Sequence, residues 1–127
     1  EYMRSVVHFI LKETPERARI SMIYIREQLD PTSGFIRLYD GFIREMRETH
    51  EALVAAIIGY DVHSLDVKLL SQSLIGQVTI FKSSRVTIFK HLGWDQYGEE
   101  RMTAIEEIVS RNVRVLMQDY FRKGSKS

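Results

Sequence analysis

The chain has 127 residues, 44% of them hydrophobic and 28% charged, with 18 basic and 17 acidic side chains and a formal net charge of +1. This size suits one domain that buries about 65–70% of the unfolded chain's surface, and the charge balance argues against a surface built only to hold phosphates. Cysteine is absent, which excludes disulfides, thiol catalysis and cysteine-bound zinc and agrees with a reducing, cytoplasmic location.

The N-terminus, "EYMRSVVHFILK", carries no initiator Met and is already apolar at Met3, Val6, Val7, Ile10 and Leu11. That is helical spacing over residues 2–12. We read Glu1 as a cut inside a longer polypeptide. Thr14-Pro15 forms an N-cap followed by proline at the first helical position. The helix it opens has Ala18, Met22, Ile25 and Leu29 on one face. It ends before Asp30-Pro31, because the residue ahead of a proline is pushed out of the α region.

A long helix follows, with Ser33 as N-cap and Gly59 as the terminating residue. Phe35, Tyr39, Phe42, Met46, His50, Leu53 and Ile57 form its apolar stripe. Arg37, Asp40, Arg44, Arg47, Glu48 and Glu51 form a solvated face. Asp40–Arg44, Arg44–Glu48 and Arg47–Glu51 are spaced for i,i+4 ion pairs.

Ser64 caps the next helix, expected to run to Ser83. From Leu69 to Phe81, "LLSQSLIGQVTIF", it holds thirteen residues without a charge. A membrane span needs about 20, and no signal-peptide pattern is present, so no membrane partner is expected. A helix apolar on every side must be covered on every side. One face is expected on the home core and another on a partner, with Gln72, Gly76, Thr79 and Ser83 allowing close approach; a central core helix is the alternative. A short helix at 85–92 stops at Gly93, with Trp94 placed against Phe89. The last helix, 98–121, has two apolar stripes: Met102, Ile105, Val109, Val113, Leu116 and Tyr120, and then Ala104, Ile108 and Val115. Arg111, Arg114, Gln118 and Arg122 make its polar face, and the tail "KGSKS" is expected to fray. "GQVTIFKSSRVTIFK" is rich in β-branched residues, but "SSR" lacks the Gly or Asn of a two-residue hairpin turn, so it is read as helical. The expected fold class is all-α, a bundle of about six helices.

Catalytic patterns are missing. None of His8, His50, His63 and His91 sits in HExxH or four residues from another His, and none has Glu three residues before it, so neither metalloprotease nor di-iron spacing is present. There is no phosphate-binding glycine loop and no GxSxG elbow. No enzyme activity, metal or cofactor is expected. Met and aromatic side chains with a few polar groups can instead line a small-molecule pocket.

"SLIGQVTIFKSSRVTIFKHLGWDQYGEERMTAIEEIV", with its "HLGW" at His91–Trp94, and the upstream "FILKETPERARISMIYIREQLDPTSGFIRLYDGFIREM" together resemble the regulatory domain of the TetR family, in the branch that carries an LGW segment. The likeness covers nearly the whole chain. It implies a homodimer whose N-terminal helix-turn-helix head, ahead of Glu1, contacts operator DNA. It also implies a small-molecule effector bound between the helices at 2–12, 15–29, 33–58 and 64–83. The two helices at 64–83 and 98–121 would pair with those of a second subunit. The expected effector pocket comprises His8, Met22, Tyr39, Phe42, Met46, His50 and Gln72. The expected dimer face comprises Leu69, Gln72, Gly76, Thr79, Ile108 and Val115. The competing reading is a helical protein–protein interaction module without a small-molecule pocket.

Overall fold

A computed structural model describes residue 11 and residues 14–125. Five helical rods follow one another: α1 (Pro15–Leu29); α2, a continuous rod over 33–58 made of Ser33–Leu38, Tyr39–Ile43 and Arg44–Ile58; α3 (Leu65–Ser83); α4 (Arg85–Leu92); and α5 (Glu99–Ser125). Among the described residues there is no strand, and the fold is all-α. The helix expected at 2–12 lies outside the described residues, apart from Leu11, which is helical and buried in the core.

Local chemistry sets the helix ends. The Thr14 hydroxyl accepts the Arg17 N–H at 3.2 Å, and Pro15 follows at the first helical position. At α2 the cap is Thr32, one residue before the expected Ser33. Its hydroxyl accepts from the Gly34 N–H, while the Glu27 carboxylate receives the Thr32 N–H and hydroxyl, both at 2.7 Å. This bracket closes the turn around Pro31. Ser64 caps α3 by accepting the Val67 N–H. Gly59 and Gly93 end α2 and α4 at φ 76° and 70°, a left-handed conformation that L-residues avoid.

The core lies where α2, α3 and α5 meet. Val54, Ala55 and Ile58 of α2, Val67, Leu70, Leu74 and Val78 of α3, and Met102, Ile105, Val109 and Val113 of α5 form one cluster. The first stripe expected on α5 is therefore its buried face, with Leu116 and Tyr120 packed at the edge. α3 and α5 run antiparallel. Tyr60, ahead of α3, meets Tyr120 near the end of α5 with ring centroids 5.9 Å apart. At the opposite end the Tyr97 hydroxyl, ahead of α5, donates to the Phe81 carbonyl of α3. Ser84 alone separates α3 from α4, so the β-rich segment is helical on both sides of it. The Gly93 turn packs Phe89 on Tyr97 (4.7 Å) and Tyr97 on Trp94 (6.2 Å), so Tyr97 rather than Phe89 takes the Trp94 ring edge-on.

Four expectations need correction. Part of the expected α2 stripe is displaced by one residue: Ile43, Val54 and Ile58 are buried in place of Phe42, Leu53 and Ile57, while His50 is buried as expected. Around Tyr39–Ile43 the rod widens into a π turn, in which the Arg44 N–H reaches the Tyr39 carbonyl five residues back. A π turn inserts one residue into the helical repeat, and every position beyond it rotates. Phe42, Met46 and Ile57 are therefore exposed. In consequence Arg47, assigned to the solvated face, turns to Gln72 of α3 (3.1 Å) rather than to Glu51; Asp40–Arg44 forms as expected at 2.6 Å. No residue of α1 is buried, and Met22 and Leu29 of its expected core face are exposed. Finally, α5 continues to Ser125 instead of fraying after Phe121, helped by Lys123–Asp119 at 3.3 Å.

Leu74→Ala, at a fully enclosed site, is expected to cost about 2–5 kcal/mol in urea unfolding. Gly59→Ala is expected to cost about 1–2 kcal/mol, because alanine disfavours the left-handed turn.

Candidate functional site

α2 and α3 present a polar cluster at their contact. His50, only 5% exposed, points from α2 at α3 and hydrogen-bonds the Ser71 backbone. The Ser71 side chain is itself buried. One helical turn earlier, Arg47 Nη1 donates to Gln72 Oε1. Burial, and secondarily the neighbouring Arg47 charge, push the His50 pKa below its ordinary value, while the bond to Ser71 opposes them. His50 is thus neutral at pH 7 and offers an uncharged imidazole beside an arginine.

Upstream on the same rod, the π turn opens an aromatic strip. Tyr39 stacks on Phe35 at 6.3 Å, and the Arg44 guanidinium lies over the Tyr39 ring at 5.2 Å. Phe42 and Met46 are exposed beside them. The strip thus places apolar and aromatic side chains on the rod that also carries Arg47 and His50.

Of the residues expected to line a pocket, the structure brings His50 and Gln72 to one helix contact, with Tyr39, Phe42 and Met46 on the preceding turns of α2. Met22 is on exposed α1, and His8 lies outside the described residues. The sequence reading missed Arg47 and Ser71. The displaced stripe hid Arg47; the signal for Ser71 is a hydroxyl residue at a buried position between Val67 and Leu74. Ser110 is the equivalent on α5, buried beside Val109 and Val113, and its Oγ has no hydrogen-bond partner among the described residues. A separate open groove of about 430 Å³ lies between the C-terminal ends of α2 and α5, lined by Ile57, Met117, Gln118, Phe121 and Arg122. It shares no residue with the expected pocket.

The second set of expected residues lies on faces turned away from the core. Leu69 is 60% exposed, and Ile80 and Gln72 are exposed with it on the outer face of α3, where Gly76 and Thr79 are half-buried. Ile108 and Val115 are each 59% exposed on the outer face of α5. Among the described residues no helix is long and apolar enough to cross a membrane.

Comparison with known proteins agrees with this architecture. The model of the family described as "HTH-type transcriptional dual regulator CecR, C-terminal domain" matches residues 1–120. The chain belongs to this family. It is a family of transcription-regulator domains of the TetR type, not of enzymes. The HTH-type transcriptional dual regulator CecR of Shigella flexneri is 26% identical over 103 residues, covering 81% of this chain and 46% of that protein. The chain therefore spans about half the length of the curated relative it matches. The "HLGW" segment lies within the matched residues, at the α4 stop described above.

The His50 environment has a pH signature. Its folded pKa is depressed, so below the ordinary value of about 6.5 the unfolded chain binds the proton more readily than the folded one. The stability associated with neutral His50 is complete above pH ~6.5 and is lost as pH falls through the depressed folded value. Urea titrations between pH 7.5 and pH 5 are expected to show a falling midpoint, and His50→Gln should flatten that fall.

Proposed function

We propose that this chain is the effector-sensing and dimerising part of a TetR-type transcriptional repressor, in which two copies position a pair of N-terminal helix-turn-helix heads on operator DNA. The observation that carries dimerisation is the two-sidedness of α3 and α5. Each buries one apolar face in the home core and leaves Leu69 and Ile80, or Ile108 and Val115, facing water. Uncovered aliphatic surface of this kind marks an interaction site. Two copies related by a two-fold axis cover it with the same patch on both sides.

The effector reading rests on the strip Tyr39, Phe42 and Met46 beside the His50–Ser71 and Arg47–Gln72 contacts. The apolar strip suits a hydrophobic ligand body. Arg47, with neutral His50, suits a polar or anionic end. The effector acts by population shift: it must bind one separation of the two heads better than the other, or it changes nothing. The π turn supports this reading, because such turns recur at functional sites and this one decides which side chains face the strip. The name of the Shigella flexneri relative supports the regulatory role of the longer protein.

Sedimentation equilibrium at tens of micromolar is expected to give twice the chain mass of 14.9 kDa. Leu69→Arg or Ile108→Arg should return it to the monomer with helicity intact, and a wild-type monomer would count against the dimer. In a thermal-shift screen of small amphipathic molecules, a true effector at 100 times its Kd stabilises by about 2.7 kcal/mol. That gain should shrink in Arg47→Ala. No hit affected by Arg47 would sink the pocket assignment.

A further inference from the structure

The open groove between the C-terminal ends of α2 and α5 has a chemistry of its own. Ile57 and Phe121, 47% and 56% exposed, line it from the two helices, together with half-buried Met117. Its polar lining is Gln118 and Arg122, both exposed, and among the described residues no carboxylate lines it. The acidic residues close by in sequence are engaged: Asp119 holds Lys123 at 3.3 Å, and Asp61 accepts the His63 N–H at 2.7 Å. At the end of α2 the Ala55 carbonyl receives the N–H groups of both Gly59 and Tyr60, at 2.9 and 3.3 Å. That double bond-up weakens the negative pole which a helix C-terminus otherwise turns to its surroundings. The volume of about 430 Å³ falls within the range of about 300–1,000 Å³ common to small-molecule sites.

These features select one ligand chemistry. A cation would meet Arg122. A phosphate-rich ligand would find a single arginine among three apolar side chains. An uncharged hydrocarbon would leave the arginine unused. We infer that the groove is a second ligand site, for a small hydrophobic carboxylate whose apolar body lies along Ile57, Met117 and Phe121 and whose carboxylate is held by Arg122 beside Gln118. A guanidinium carries five N–H donors in a planar fork, and two of them match the oxygens of one carboxylate. The Gln118 amide offers a further N–H. Met117 adapts to the shape of the ligand body, because its unbranched thioether turns about three bonds. This site is separate from the strip on the N-terminal part of α2: Arg47 precedes Ile57 by ten residues on the same rod, about 15 Å along its axis. It therefore stands or falls independently of the effector assignment above.

Titration calorimetry of the whole chain with decanoate and with decanol tests this. Decanoate is expected to bind about tenfold more tightly than decanol, through the charge-assisted bond to Arg122. Arg122→Gln should erase that preference and leave decanol binding unchanged, whereas Phe121→Ala should weaken both ligands. Both side chains are exposed, so helicity should be retained, and circular dichroism checks it. From octanoate to dodecanoate, affinity should rise by up to about fourfold for each CH₂ that the groove buries. Arg47→Ala should leave decanoate binding as in the wild type. Equal affinity for decanoate and decanol would overturn the inference. Decanoate binding that responds to Arg47→Ala and not to Arg122→Gln would belong to the strip on α2 and would also overturn it, leaving the effector reading in place. If decanoate does not bind and Phe121→Asp lowers the sedimenting mass, a second copy of the chain fills the groove, and the ligand site is overturned.

Discussion

Leu74, Val78 and Val109 sit where α2, α3 and α5 meet, and almost no water reaches them. Burying side chains of this size contributes about 1.5–3 kcal/mol each, so this three-way contact fixes how the three long rods lie. Among the described residues it also leaves a second set of apolar side chains uncovered. α3 and α5 are apolar on two sides, but each meets the home core on one side only. Leu69, Ile80, Ile108 and Val115 are what remains. The surplus is a consequence of helical geometry: an i,i+3,i+4 stripe covers one side of a cylinder, and a second stripe needs a second neighbour.

The π turn at Tyr39–Ile43 is the second organising feature. One inserted residue rotates the rest of α2, so that Arg47 reaches Gln72 beside the buried His50, while Phe42 and Met46 are left open. Without the insertion, Phe42, Met46 and Ile57 would share the inward stripe with His50, and Arg47 would lie on the solvated face. The turn thus separates the two roles of α2. Its C-terminal part is core, and its N-terminal part presents aromatic surface next to polar groups.

The ends of the rods hold these faces in place. Gly59 and Gly93 reverse the chain in conformations that other residues avoid, and Tyr97 ties the start of α5 to the end of α3 through the Phe81 carbonyl. Trp94, edge-on to Tyr97 and covered by Arg101, completes a small aromatic knot around the "HLGW" segment. That knot gives these residues a structural duty: they set the antiparallel turn between α3 and α5. The outward faces of those two helices are then fixed relative to the core.

Much of the fold was legible in the residues themselves, because it depends on local chemistry. Thr14-Pro15, Ser64, Gly59 and Gly93 mark helix ends by hydrogen bonding or by backbone freedom, and the stripe from Met102 to Val113 shows its period directly. The double apolar character of the Leu69–Phe81 segment was equally visible, since it is a property of composition around one helix. What only the tertiary structure decided is phase. A helical repeat read along the sequence assumes 3.6 residues per turn throughout, and the π turn breaks that assumption, so part of the α2 stripe was read one residue early and Arg47 was placed on the wrong side. The surroundings of Ser71, Ser110 and α1 were likewise undecidable beforehand. Burial is a relation between distant segments, and no local pattern states which of two apolar faces the rest of the chain will cover.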